Sequence, residues 1–397
     1  MQWRLHAKGM FRKRRTYLDW AASAPVSDEA RTAFTNALAL FGNPSSPHEE
    51  GRRARVVLED ARTTIARLAS VKPDAVIFTS GATEANALAI VGQVDALIEA
   101  GRDPVSVHVL YLASAHASTA GAIEELRKRG VIVEEIALTG MMIDLDAFKL
   151  QLRPETALIV LDLICGETGV RFRVRDVRRV LDAEGSSARL HVDASQAPLE
   201  ESFELTRLGA DTLSLDAQKV GAVRGIGALI APRQVRILPL MRGGGQERGL
   251  RPGTESPALA VSFATALART QEDRVRFTER SRGMRSMFLS LLMEALPNLM
   301  VNEGKDQAMH IVNVSLPGRD TDYLAALLDE AGYAISTRSA CASDEQRSQA
   351  VMALTGDASR ASSTLRISWG PSTGESSLRG FARALISSVR FVDANRV

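Results

Sequence analysis

Only two cysteines, Cys165 and Cys341, occur in 397 residues, too few for a disulfide framework or a multi-cysteine zinc site. No metal site is expected, a reducing and cytoplasmic compartment is, and each thiol is read singly, as apolar filler or as a reactive group. An excess of one charge is also missing: Lys plus Arg number 49 against 47 for Asp plus Glu, a net +2. That supplies no strong field for nucleic acid or an anionic membrane, so neither is an expected partner. Long apolar runs are absent too. The most apolar stretch, 157–165, is interrupted by Asp162 and falls far short of the ~18 residues that a membrane-spanning helix requires. What remains, 45% hydrophobic and 24% charged residues, is the composition of an ordinary globular protein. At roughly 100 to 200 residues per domain the length suggests two domains.

Charge is uneven only at the start, where Arg4, Lys8, Arg12, Lys13, Arg14 and Arg15 precede the first acid, Asp19. A transit peptide is similarly Arg-rich, but is usually also amphipathic and richer in Ser. Residues 1–16 are therefore read as a solvated basic extension, with Met10 an alternative start. From residue 70 onward short apolar runs at 75–80, 105–114, 131–138, 157–164 and 188–195 alternate with amphipathic segments such as 84–100 and 120–129. This is the βαβ pattern, which predicts an α/β fold with a mostly parallel sheet covered by helices and ligands gathered at the carboxyl ends of the strands. After Thr254 the alternation weakens. A long helix over about 256–296, strands at 309–316 and 365–369, and helices at 321–331 and 375–389 suggest a smaller α+β domain. The expected division is a large domain at 17–257 and a small one at 258–397, with the boundary near Pro257.

Three strand-end clusters invite chemistry. Thr79-Ser-Gly-Ala-Thr-Glu84 ends a strand and opens a helix, so its free amides and the positive end of the helix dipole suit a phosphate, with an ordinary capped turn as the alternative. His191-Val-Asp193-Ala-Ser-Gln196 delivers a carboxylate to a strand end, and an apolar run before Gln218 delivers Lys219. Separately each suits structure as well as catalysis. Together an aspartate for a protonated pyridine nitrogen, a lysine for an imine and a Gly/Thr helix start for a phosphate are what pyridoxal 5'-phosphate needs.

The order and wording of the motifs then resemble the cysteine desulfurases of the class V aminotransferase superfamily. The match runs from Tyr17-Leu-Asp-Trp-Ala-Ala-Ser-Ala-Pro25 and Gly42-Asn-Pro-Ser-Ser-Pro-His48 through Gly243-Gly-Gly-Gln-Glu-Arg-Gly-Leu-Arg-Pro-Gly-Thr254 to Ser339-Ala-Cys341 and Leu365-Arg-Ile-Ser-Trp-Gly370, nearly the whole chain. The resemblance implies the fold type I, pyridoxal-phosphate-dependent transferase architecture, a seven-stranded and mostly parallel sheet in the large domain, and a homodimer. It implies that Lys219 holds the cofactor and moves the α-proton, Asp193 keeps the ring nitrogen charged, Gln196 bonds the phenolic oxygen, and His116 stacks on the ring. Gly81, Ala82, Thr83 and Gln218 would surround the phosphate, with Thr254 reaching the phosphate of the partner subunit's cofactor. Arg366 would clamp the substrate carboxylate in a bidentate pair, with Asn43 nearby or else merely forming an Asn-Pro turn. Cys341 would take the sulfur of L-cysteine as a persulfide, leaving L-alanine, and the polar segment 342–350 would be a mobile loop carrying it to a sulfur-acceptor protein for iron–sulfur clusters or thio-modification. Arg338 is a cation that could favour the thiolate, or simply a solvated side chain.

The chain departs from the pattern in several places. Cys165-Gly166-Glu167-Thr168-Gly169 replaces an Asn-Asn-Glu-x-Gly run, removing an amide donor to the cofactor. Gln218 stands for a histidine, Asp216 for a phosphate-binding serine and Ala115 for a glutamate, and Lys219 is followed by Val-Gly-Ala-Val-Arg-Gly. An aspartate facing a dianion would repel it, so Asp216 is expected to point elsewhere, cap a turn or pair with Arg224. Cys165 is expected to be buried and inert. The alternatives are another class V enzyme, such as a selenocysteine lyase or an aminotransferase, the latter having no use for a mobile thiol at Cys341, and a degenerate partner-binding homologue, which would not retain the cofactor.

Overall fold

The computed structural model describes residues 15–337 and 347–395. Seven strands form the main sheet: β1 Val76–Thr79, β2 His108–Tyr111, β3 Ile132–Glu135, β4 Thr156–Asp162, β5 Arg189–Asp193, β6 Thr212–Asp216 and β7 Gly227–Ile230. Their spatial order is β1-β7-β6-β5-β4-β2-β3. Only β7 runs antiparallel, to both β1 and β6; the other pairs are parallel. The expected α/β fold with a mostly parallel seven-stranded sheet is therefore the fold observed.

The apolar runs exist because both faces of the sheet are covered. Alternate residues of a strand point to opposite faces: Val109, Leu158 and Val160 pack beneath α3 (Ala82–Glu99) and α4 (Ala117–Lys128). Leu110, Ile159 and Leu161 join the opposite core, which also contains Ala30 of α1 (Asp28–Ala37), Leu58 of α2 (Glu49–Leu68) and Phe263 of α5 (Pro257–Ala295). Helix α5 starts where Ser256 accepts the Leu259 N–H and Pro257 occupies the first turn, a position that spares its missing donor. Its second half, with Phe277, Met284, Phe288 and Leu292, enters another core beside the antiparallel strands β8 (Met300–Val301), β9 (Ile311–Ser315) and β10 (Thr364–Ser368) and the helices α6 (Thr321–Glu330) and α7 (Glu375–Ala394).

Two expected strands are shorter than their apolar runs. Before β2, Pro104–Ser106 forms a single tight helical turn capped by Asp103. After β3 the chain leaves the sheet edge for a two-residue hairpin, Leu138–Thr139 against Met142–Ile143. The expected loop 342–350 also ends early within its described part, because Ser348 caps a helix, Gln349–Thr355, that includes Gln349 and Ala350.

A buried clasp accounts for part of the glycine-rich 243–254 run. Glu247 accepts from Arg62 Nη1 and Nη2 of α2, each at 2.7 Å, and from the Phe78 N–H of β1 at 2.7 Å. Glu247 and Arg248 adopt positive φ, 48° and 62°, at a steric cost of roughly 1–2 kcal/mol each for residues with a Cβ. The clasp offsets that cost and ties the loop to the sheet.

Candidate active site

The carboxyl ends of β1, β2, β4, β5 and β6 converge on one pocket of about 380 Å³, within the ordinary size of a cofactor site. Of the residues singled out from the sequence, Ala82, Thr83, His116, Asp193, Gln196, Gln218, Lys219 and Arg366 all line it. Gly81 forms the turn just before Ala82, and it needs a glycine opposite it: a Cβ at Gly227 of β7 would stand 2.6 Å from the Gly81 carbonyl carbon. Cys341 and Arg338 lie outside the described residues. Their described neighbours border the pocket: Ser336 pairs with Arg366 through two backbone hydrogen bonds, and Arg347 and Ser348 line the wall.

Asp193 sits at the floor, with Oδ1 accepting the Ser195 N–H at 2.9 Å and Oδ2 accepting Asn86 Nδ2 at 2.7 Å. Asn86 belongs to a buried chain of polar groups: its Oδ1 faces His191 Nε2 at 3.1 Å and accepts the Ser214 hydroxyl, while His191 Nδ1 meets Thr212 Oγ1 at 2.9 Å. Burial pushes His191 down to about 4, so it stays neutral, although Asp193 opposes the shift. The network fixes Asp193 in place without adding a charge. Asn86 also donates to Ser118, whose N–H and hydroxyl meet Nδ1 of His116, the N-cap of α4. His116 is solvent-accessible yet set in the crowded concave wall. Desolvation lowers its pKa, Asp193 opposes and Lys219 assists.

Lys219 Nζ donates to the carbonyls of Ala21 and Ala22 at 2.8 and 2.9 Å. Arg366, buried, donates from Nη2 to Asp19 at 2.8 Å and from Nη1 to the Gly166 carbonyl at 3.1 Å. The Asp-Trp-Ala-Ala run near the N-terminus is thus a wall of the site: Asp19 orients the arginine and Ala21 and Ala22 receive the lysine.

Several expectations change. Asn43 is exposed and outside the pocket; its Oδ1 accepts the Ser45 N–H at 2.8 Å, the turn alternative. Thr254 is likewise exposed and away from this chain's own pocket. Asp216 does not pair with Arg224, which donates to Ser23. It caps the turn before Lys219 and also points at the start of α3, accepting from Gln218 N–H at 3.0 Å and Ala82 N–H at 3.1 Å. Gln196 Nε2 donates to the Ala21 carbonyl at 2.9 Å and fills the space a side chain at 166 would use: a Cβ on Gly166 would lie 3.0 Å from it. Cys165 is buried at the wall, and burial, reinforced by Asp162, pushes its thiol up to about 11, so it is protonated and inert.

Sequence reasoning did not assign Asn86, Ser118, Asp19 or Asp162 to the site. Asp162 ends β4 beside Asp193 on β5, and burial followed by that neighbour's charge raises its pKa well above the carboxylate range. An acid closing the apolar run at 157–162, and an asparagine inside the apolar helix α3, are the signals that pointed there.

Among the described residues, residues that line the pocket carry fully buried polar atoms without a hydrogen-bond partner, including Ser114 Oγ, Asp162 Oδ1, Ser195 Oγ and Arg366 Nε. Such atoms are costly to bury unpaired and suit a polar ligand. The donor set fits pyridoxal phosphate: a lysine for the aldehyde, a held carboxylate for the ring nitrogen, helix-start amides for the phosphate.

Residues 16–378 match the aminotransferase class-V family. The chain is 30% identical to cysteine desulfurase IscS 1 of Archaeoglobus fulgidus, over 82% of this chain and 84% of that protein. It is 31% identical to the putative cysteine desulfurase IscS 1 of Bacillus subtilis, over 90% and 93%. Among solved structures, a NifS-like protein superposes with a TM-score of 0.87 at 26% identity, over 95% of this chain and all of that one. DndA from Streptomyces lividans does so at 0.74 and 32%, over 90% and 100%. With its strand-end lysine and aspartate facing one pocket, and relatives of this kind along more than four-fifths of its length, the chain belongs to the class-V aminotransferase family and, within it, to the pyridoxal-phosphate-dependent cysteine desulfurases.

Proposed function

We propose that this enzyme moves the sulfur of L-cysteine onto Cys341, releases L-alanine, and passes the persulfide to an acceptor protein that serves iron–sulfur cluster assembly or thio-modification. The carbon–sulfur bond of the substrate breaks, a sulfur–sulfur bond to Cys341 forms, and a proton replaces sulfur on the alanine. The observation that carries this reading is the shared pocket of Lys219, Asp193 and Arg366. The solved structure of SspA in complex with cysteine, similar over 89% of this chain at a TM-score of 0.75, supports the substrate.

Bound there, pyridoxal phosphate supplies an electron-accepting ring. The chain's own groups do the rest. Asp193, fixed by Asn86 and the Ser195 amide, holds the ring nitrogen's proton. Lys219 carries the α-proton on Nζ. His116, its Nδ1 engaged by Ser118, offers Nε2 for proton transfer, and Arg366 orients the substrate carboxylate with Nε and a guanidinium already aligned by Asp19. Thr254, exposed and outside this chain's own pocket, supports a homodimer in which it serves the partner subunit's cofactor, and the two-cysteine composition supports a cytoplasmic setting.

Alanine formed from L-cysteine by cofactor-loaded protein tests the reading. Wild-type enzyme is expected to release alanine and to carry a persulfide on Cys341 detectable by mass, while Cys341→Ser keeps the yellow colour of the bound cofactor and loses turnover. Alanine release undiminished in Cys341→Ser would overturn the sulfur-acceptor role.

A further inference from the structure

The carboxylate of Asp216 already occupies the anion seat that the pocket offers to a phosphate. Oδ2 takes the Ala82 N–H at 3.1 Å, in the first turn of α3, and lies 3.4 Å from where a Cβ on Gly81 would stand; Oδ1 takes the Gln218 N–H at 3.0 Å. Helix-start amides and the dipole behind them attract any anion, so a side-chain carboxylate and a phosphate ester compete for the same donors. The charged neighbours do not remove the conflict. Lys219 on the same turn is the cation that acts on Asp216, Asp193 from β5 adds repulsion, and desolvation is the largest influence raising its pKa. His116, across the pocket, is itself held toward the neutral form. Glu84 of α3 is committed elsewhere, accepting from the Ser80 N–H and from Arg251.

We propose that Asp216 binds the cofactor phosphate as a neutral acid, donating its proton into a carboxyl–phosphate hydrogen bond, so that cofactor binding takes up a proton. Two oxyanions in hydrogen-bond contact inside a pocket cannot both stay ionised, and a free phosphate ester is largely dianionic above about pH 7. Association then requires one proton from water, held between the carboxyl and phosphate oxygens. No bond to phosphorus changes. The proposal rests on the reading of this pocket as the pyridoxal phosphate site, and it makes Asp216 a specificity-determining residue for the charge state of the phosphate.

The sign follows from linkage. A complex that holds one more proton than its free components weakens as pH rises, by about tenfold in Kd per pH unit once both free groups are ionised. The experiment titrates cofactor-free protein with pyridoxal phosphate between pH 7 and pH 9, following absorbance, for wild type, Asp216→Asn and Asp216→Ser. Pyridoxal, which lacks the phosphate, is the second probe. Asparagine keeps the acceptor for the Gln218 N–H and donates to phosphate without a titrating proton. Serine provides the same test with a smaller side chain. The expected result is a Kd for pyridoxal phosphate that rises about tenfold more per pH unit in wild type than in either variant, with no such difference for pyridoxal. The phosphorus-31 shift of the bound cofactor should report a phosphate sharing a proton in wild type and a dianion in Asp216→Asn. Equal slopes in the three proteins, or a slope difference that persists with pyridoxal, would overturn the proposal alone. Failure of both probes to form coloured protein would overturn the cofactor-site reading beneath it.

Discussion

The Arg62–Glu247 clasp and the Lys219 pocket both bury charge drawn from distant parts of the chain, and they are built in opposite ways. In the clasp each Glu247 oxygen has a guanidinium donor at 2.7 Å and one of them also takes a backbone amide. In the pocket the groups are held on one side, while buried atoms of the lining residues, including Asp162 Oδ1, Ser195 Oγ and Arg366 Nε, lack a partner. A closed polar network contributes rigidity, whereas an open one carries a desolvation cost that a ligand relieves. The difference separates charges that hold the fold from charges that await chemistry.

Substitutions on the two sides should separate cleanly. Lys219→Ala should lower alanine formation by roughly 10²–10⁴-fold, the scale of a lost acid–base group, and should abolish the yellow colour of lysine-bound cofactor while leaving the urea midpoint near that of wild type. Substantial residual turnover would break the comparison. Glu247→Ala should do the reverse. Of its carboxylate partners Arg62 would keep only the half-exposed Glu59, which meets its Nε at 3.2 Å, and the loss of the buried pair should cost up to about 3–5 kcal/mol in unfolding free energy, while the fraction still folded should turn over at a near-normal rate. Arg366→Lys should raise KM for cysteine by about tenfold or more and alter kcat less, since charge-assisted hydrogen bonds worth about 1.5–3 kcal/mol are lost. A change confined to kcat would remove Arg366 from substrate binding. Gly166→Ala should have the smallest effect, below about 1 kcal/mol in stability, but should shift the visible spectrum of the bound cofactor as Gln196 gives way. An unchanged spectrum would dissociate Gln196 from the ring.

Most of the scaffold was legible in the sequence. Apolar runs spaced by helical patterns revealed β1 to β5, and the residues at or just after the ends of those runs supplied Thr83, His116, Asp193 and Gln196, because in a parallel sheet the strand ends are where ligands gather. Strand β7 was harder to read, being four residues that reverse direction after a glycine-rich turn. Asp19 was silent for a different reason. It matters through one hydrogen bond to Arg366, 347 positions away, and no local pattern encodes that.

What the sequence by itself determined is the mostly parallel sheet and the aspartate and lysine delivered to its strand ends, since periodicity and strand-end position are local properties. Only the tertiary structure decided where the substituted residues act: Gln196 lies over the space left by Gly166, Cys165 is sealed in the wall, and Asp216 sits on the helix-start amides. Those outcomes depend on which side chains from separate strands compete for the same space and the same hydrogen-bond donors. That competition exists only once the chain has folded.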